Sequence, residues 1–174
     1  MDKYTLQEVI EFITQSNEIE CIGSQEAIDD SLIAWSYLAG NNALTESIVK
    51  KTHYYIIKNL NSRIAGHYRK CNVYVGDRMG YPPYYLTISM QKWLTEAMLA
   101  DTKEKIKQNH IHFEFIHPFE DGNGRTGRMM LLWQLQRAEL PIEIIYSDTK
   151  HDNYYPWFRS VSAMNRYTYK PYAT

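Results

Sequence analysis

Twelve consecutive residues of this chain could do chemistry together: His117-Pro118-Phe119-Glu120-Asp121-Gly122-Asn123-Gly124-Arg125-Thr126-Gly127-Arg128. An imidazole stands at the head of the run, and the Asp121 carboxylate follows four residues later. Gly122-Asn123-Gly124 then brings two glycines able to reach backbone angles that turn successive N–H groups inward as an anion nest. Arg125 and Arg128 share one face of the helix that should begin there. A helix N-terminus, a glycine nest and two guanidinium forks make a polyphosphate site. Asp121 is placed to hold Mg²⁺ against phosphates, and His117 is free to take a proton from an attacking group. Taken singly, each element has an ordinary explanation: a packed imidazole, a plain turn, two solvated arginines. Their conjunction at one loop-to-helix transition points to a site that handles nucleotides.

Two rival chemistries share these letters. Gly122-x-Gly124-x-x-Gly127 fits the dinucleotide fingerprint, and Asp148 falls about 20 residues on, where a ribose-binding acid would sit. Yet His-Pro-Phe-Glu-Asp separates the glycines from the strand-like run 110–116. The chain after Gly127 is also too short for a doubly wound sheet. A zinc hydrolase is the second rival, with His110, His112 and His117 as ligands beside Glu114. His-x-His pairs ligands on a strand, whereas His110, Phe113 and His117 continue a helical spacing that starts near Thr102.

The elements that must position the site are mostly helices. Thr5-Leu6-Gln7-Glu8 is a capping box opening a helix with Leu6, Val9, Ile10 and Ile13 on one face, running to about Glu20 with Gly23 as its stop. Residues 24–38 and a Thr45-capped run to Asn59 predict two more, the latter enclosing His53 as a packing residue. Tyr68 to Val75 alternates weakly, Gly76-Asp77-Arg78-Met79-Gly80 turns, and Tyr81-Pro82-Pro83 follows, which predicts a hairpin with a proline-weakened second arm. Further helices begin at Thr87 or Ser89 and at an Asp101 cap. After the chemical run, Met129 to Leu135 is apolar nearly all round, so that helix should be the buried centre of the bundle. Asp152 is the expected cap of a last helix carrying Tyr154, Trp157 and Val161.

The whole-chain numbers exclude several classes. At 174 residues, with 44% hydrophobic and 22% charged composition, this is one globular domain with a proper core. A formal net charge of −1 gives no bulk attraction to nucleic acid or acidic membrane. No secretory core or membrane-length apolar run occurs, and Cys21 and Cys71 lack metal-like spacing, so a reduced, cytoplasmic setting is expected.

The twelve-residue run resembles the Fic-family signature, His-Pro-Phe-x-Asp/Glu-Gly-Asn-Gly-Arg-x-x-Arg, at every fixed position. The resemblance covers residues 1–165 or so and implies an all-α Fic-fold bundle with a small hairpin flap beside the active site. It also implies transfer of AMP from MgATP to a Tyr, Thr or Ser hydroxyl of a target protein. In that scheme His117 is the general base, Asp121 holds Mg²⁺ between α- and β-phosphates, and Gly122, Asn123 and Gly124 cradle phosphate oxygens through the nest and the Asn amide. Arg125 then faces the β-phosphate and Arg128 the γ-phosphate. Ser16-x-x-x-Glu20 is similar to the family's inhibitory motif, whose glutamate pairs with the second arginine of the signature; Cys21 stands where Gly or Asn is usual. The implied layout is one Fic domain over residues 1–174, with an inhibitory helix at 1–22 and a core at 44–165. A target protein would dock along the flap at 68–85; a homo-oligomer is possible, and neither nucleic acid nor membrane is expected as partner. Removal of AMP, transfer of another nucleotide or phosphate group, and a non-catalytic interaction module remain as alternatives, below them a zinc hydrolase.

Overall fold

The computed structural model describes residues 4–76 and 78–169. Its elements run α1 (Leu6–Ile19), α2 (Gln25–Ala39), α3 (Glu46–Ile57), β1 (Tyr74–Val75), β2 (Arg78–Met79), a 3₁₀ turn (Pro83–Tyr85), α4 (Leu86–Leu99), α5 (Lys103–Ile116), α6 (Asn123–Arg137), α7 (Lys150–Asn153), α8 (Pro156–Arg159) and α9 (Val161–Tyr167). The expected helical bundle with one antiparallel hairpin is what the chain adopts, pairing Tyr74 with Met79 and Val75 with Arg78.

Side-chain caps start most of the long helices. Thr5 accepts from the Glu8 N–H while Glu8 reaches back to the Thr5 N–H, and Ser24 and Thr45 cap α2 and α3. α5 is capped by Thr102 rather than the expected Asp101, which instead pairs with Lys105 at 2.8 Å. α4 begins three residues before Ser89, because Pro82-Pro83 leads into a 3₁₀ turn that feeds it directly. The hairpin is also tighter than its alternation suggested. Gly76 turns at φ 64°, and Arg78 and Met79 already form the second strand. Asp77, expected in that turn, lies outside the described residues. The single last helix expected from Asp152 is three short pieces, interrupted at Tyr154-Tyr155 and Ser160.

α6 is the hub, packing on α5, α3, α1 and α2. Every residue from Arg125 to Leu135 is buried, and so is α5 from Asn109 to Ile116. Trp93, Phe113, Phe119, Ile56 and Ile57 fill the space between the central helices, each large side chain contributing about 1.5–3 kcal/mol by burial. The six residues joining α5 to α6 therefore hang between two helices that have almost no freedom. That loop is the first half of the chemical run, and the first turns of α6 carry the rest.

Candidate active site

His117 is the C-cap of α5 and sits in the left-handed region at φ 52°, ψ 63°, with Pro118 barring helical continuation. Its Nδ1 is buried without a hydrogen-bond partner, and the Glu114 carboxyl lies 3.8 Å from it. Burial lowers the His117 pKa to about 4, with the Glu114 carbonyl pulling the other way. The ring is thus neutral at physiological pH, as a base must be. Burial pushes Glu114 up to about 8, so a neutral carboxylic acid stands beside it.

The loop after His117 is stapled from within. Phe119 is fully buried, its ring stacked on His53 at 3.7 Å and 2°. The Asn123 side chain donates to the Phe119 carbonyl and accepts from the Phe119 N–H, both at 2.9 Å. The Asn123 amide, expected on phosphate, is committed instead to closing the loop. His53 does more than pack: its Nδ1 accepts from the Gly66 N–H at 2.9 Å, so Nε2 carries the proton and donates to the Asp121 carbonyl at 2.9 Å. Asp121 is exposed, and its Oδ1 accepts from the Gly122 N–H at 2.6 Å. Glu120 points away and pairs with Arg63 at 2.9 Å.

Gly122 caps α6 at φ 74°, where a Cβ would run into Ile57. The Thr126 N–H is the first to close on the Gly122 carbonyl, at 3.0 Å, so the preceding first-turn amides have no acceptor within the helix. Arg125 is buried, and its Nε and Nη1 have no partner. Buried guanidinium donors without an acceptor mark a place where an anion belongs. Among the described residues no group of three His, Cys, Asp or Glu could hold a metal ion by itself. Mg²⁺ needs only one or two carboxylates beside substrate phosphates and water, and the exposed Asp121 carboxylate could serve as one.

Arg128 is buried, and each of its three nitrogens has a partner. Its Nε donates to the Ser16 hydroxyl at 2.8 Å, Nη2 to the Ser16 carbonyl at 2.8 Å and to Glu20 Oε1 at 2.7 Å, and Nη1 to the Tyr154 hydroxyl at 3.3 Å. Glu20 therefore reaches the second arginine of the run from the end of α1. That end closes on Cys21, not Gly23: the Cys21 N–H bonds the Glu18 carbonyl at 2.9 Å, the Ile22 N–H bonds the Asn17 carbonyl at 3.0 Å, and Cys21 takes φ 58°. This is a Schellman closure. It explains physically why Gly or Asn suits the position. Lys150 Nζ also caps the end of α1, on the Ile19 carbonyl at 2.8 Å.

Glu20, Gly124, Arg128, His117, Arg78 and Tyr154 line one cavity of about 750 Å³. The three histidines weighed as zinc ligands do not converge, since His110 bonds Tyr154 at 2.8 Å and His112 bonds Glu96 at 2.7 Å on different faces of α5. Tyr154, Lys150 and the tethering role of His53 carried no motif and were missed, and Glu114 drew notice only beside the histidines of the zinc reading. The one signal for Tyr154 was its place on the helix expected from Asp152.

A Fic/DOC family model matches residues 43–135, more than half of the chain. The protein adenylyltransferase Fic of Aedes aegypti is 31% identical over 119 residues, which is 66% of this chain and 24% of that protein. Its namesake from Nematostella vectensis is 28% identical over 147 residues, 82% of this chain and 34% of that one. The chain thus spans about a quarter to a third of the length of these curated relatives. Among solved structures, a Fic domain containing signaling protein from Bacteroides thetaiotaomicron superposes with TM-score 0.73 at 20% identity, covering 84% of this chain and 69% of that one. Fic-1 from C. elegans gives TM-score 0.72 at 17% identity, covering 94% and 60%. At those identities the structural likeness is one of fold. Signature, fold and family match agree, and the chain belongs to the Fic/DOC family.

Proposed function

We propose that this protein transfers AMP from MgATP to a Tyr, Thr or Ser hydroxyl of a target protein, and that α1 holds it inhibited. The observation that carries the reading is the convergence on one cavity of a neutral His117, the first turn of α6 and the Arg128 guanidinium. Its relatives' name, protein adenylyltransferase, supports the same class of reaction.

His117 accepts the proton of the target hydroxyl. The hydroxyl oxygen bonds the α-phosphorus as the bond to the β-phosphate oxygen breaks, and pyrophosphate leaves. Asp121 would hold Mg²⁺, which when bound offsets phosphate charge. The Asn123 and Gly124 backbone amides and Arg125 take phosphate oxygens, and Arg128 the terminal phosphate; the Gly122 N–H, expected on phosphate, is held by Asp121. Preorganised donors of this kind supply most of the catalysis in such transfers. In the layout proposed, residues 1–22 act as the inhibitory arm of a single Fic unit whose core spans 44–165. Val75, Gly76 and Arg78 of the hairpin line the same cavity, and the hairpin would take an extended target segment there by strand addition.

One observation favours a second activity: the Glu20 carboxylate lines the same cavity as His117, where it could orient water for removing AMP from a modified protein. Loss of the AMP mass from such a protein would report it. The main reading is tested in a lysate with ATP labelled at the α- or the γ-phosphate, using Glu20→Gly. Protein label from the α-position alone is expected. Label from the γ-position alone means phosphoryl transfer and overturns the reading.

A further inference from the structure

We propose that Arg69 is a positioning residue, tying the hairpin to the backbone of His117 so that a segment gripped by the hairpin is registered against the imidazole. The functional half of this inference rests on the transfer reaction above; the tether itself does not.

Arg69 is 2% exposed, and among the described residues its guanidinium donates to main-chain carbonyls. Nε donates to His117 at 2.6 Å, Nη1 to Cys71 at 2.8 Å, and Nη2 to Ile116 at 3.1 Å and to Tyr81. The Arg69 N–H adds a bond to the Pro118 carbonyl at 3.0 Å. Of the four carbonyls on the fork, two belong to the end of α5, and two bracket the hairpin, Cys71 before β1 and Tyr81 after β2. A buried cation is costly. Here the negative end of the α5 dipole and four carbonyl acceptors compensate it. Only a planar fork reaches carbonyls in these divergent directions; a lysine offers three donors from one point.

The second arm of the hairpin passes close over this junction. A Cβ at Gly80 would come within 3.1 Å of Arg69 Nη2 and 3.4 Å of His117 Cβ, and the Gly80 N–H closes the hairpin on the Val73 carbonyl at 2.9 Å. Arg78 ties the far end to the Glu114 and Phe115 carbonyls, both at 3.2 Å. Two-residue strands are marginal by themselves, so tethers decide where this hairpin sits. Arg69 bonds the carbonyl of the catalytic histidine itself. Its charge, with that of Arg78, also helps keep the imidazole neutral, against Glu20 and the Glu114 carbonyl pulling the other way.

The test uses the full chain carrying Glu20→Gly, compared with the same chain bearing Arg69→Lys or Arg69→Gln. Hydrogen exchange of residues 71–81 should rise at least tenfold in both variants, while exchange of residues 123–137 and MgATP affinity change less than twofold. The His117 imidazole, followed by NMR, should titrate at higher pH in Arg69→Gln and stay closer to the parent in Arg69→Lys, which keeps the charge. Transfer of α-label to lysate proteins should fall at least tenfold in both. Unchanged exchange at 71–81 overturns the tether. So does exchange rising equally at 123–137, or a failure of both variants to fold, because Arg69 would then support the bundle as a whole. If the Glu20→Gly parent transfers no label, the proposed reaction falls, and the exchange and titration arms still decide the tether.

Discussion

Glu20 lies against Gly124 in space that only glycine leaves open, since a Cβ built at 124 would collide with Glu20 Oε1. Gly124 also belongs to the first turn of α6, where the free amides gather. Under the proposed function, the blocking carboxylate and the nucleotide phosphates compete for one stretch of backbone. Arg128, bonded to Glu20 at 2.7 Å, is the second thing they share.

Cys21 holds that carboxylate in place at a conformational cost. A non-glycine residue in the left-handed region costs about 1–2 kcal/mol. Cys21→Gly should therefore raise the melting temperature by about 2–4 °C in a chain of this size. It should also lower basal labelling about fivefold, the equivalent of ~1 kcal/mol. A lower melting temperature with higher basal labelling would mean that the Cys21 side chain itself holds α1.

The two neighbouring acids have opposite expected behaviour. Asp121→Ala should abolish Mg²⁺-dependent transfer, whereas Glu120→Ala, which loses only an exposed pair with Arg63, should change it little. A Mg²⁺ titration of both variants checks the ranking, and the reverse order would exchange their roles.

Stability should peak near neutral pH, for reasons of opposite sign. Burial lowers His53 and His117 to about 4 and His110 to about 3, from an ordinary 6.5. Between those values the unfolded chain binds more protons, so these groups contribute stability above about pH 6.5 that is lost as pH falls toward 4. Burial raises Glu114 from 4.5 to about 8. Over that window the folded chain binds the extra proton, and the contribution is lost as pH rises through 8. Three imidazoles outweigh one carboxyl on the acid side, so the melting temperature should climb from pH 5 to about 6.5 and then decline gently. Glu114→Gln should remove the decline; an unchanged alkaline limb would show that Glu114 is ionised in the fold.

Replacing Val73-Tyr74-Val75 by Gly and Ser residues should cut transfer to target proteins several-fold while leaving the melting temperature nearly intact. Tyr74 is 71% exposed, and the strands are outside the bundle core. Collapse of folding would make the hairpin structural.

What the sequence made legible was what works through local pattern. The capping box at Thr5, the apolar stretch of α6 and the signature from His117 to Arg128 each declare themselves within a dozen residues. The hidden features depend on distant contacts. His53 sits 68 residues from the Asp121 carbonyl it holds, and Arg69 is 48 from His117. Helix boundaries moved where two caps competed, as with Asp101 and Thr102. Asn123 was read as a phosphate ligand because its place in the motif cannot reveal that its amide folds back on Phe119.

The most direct test of the account is the initial rate of α-phosphate label transfer in wild type, Glu20→Gly and Glu20→Gly/His117→Ala, at equal protein concentration and saturating MgATP. A hundredfold block needs a coupling of only about 2.7 kcal/mol, within the range of coupled sites. One charge-assisted pair plus the two Ser16 bonds to Arg128 can supply it. The account predicts low wild-type labelling, at least tenfold more in Glu20→Gly, and a fall of at least ~10²-fold on adding His117→Ala, as for loss of a general base. Glu20→Gly labelling no faster than wild type, or undiminished by His117→Ala, would contradict it.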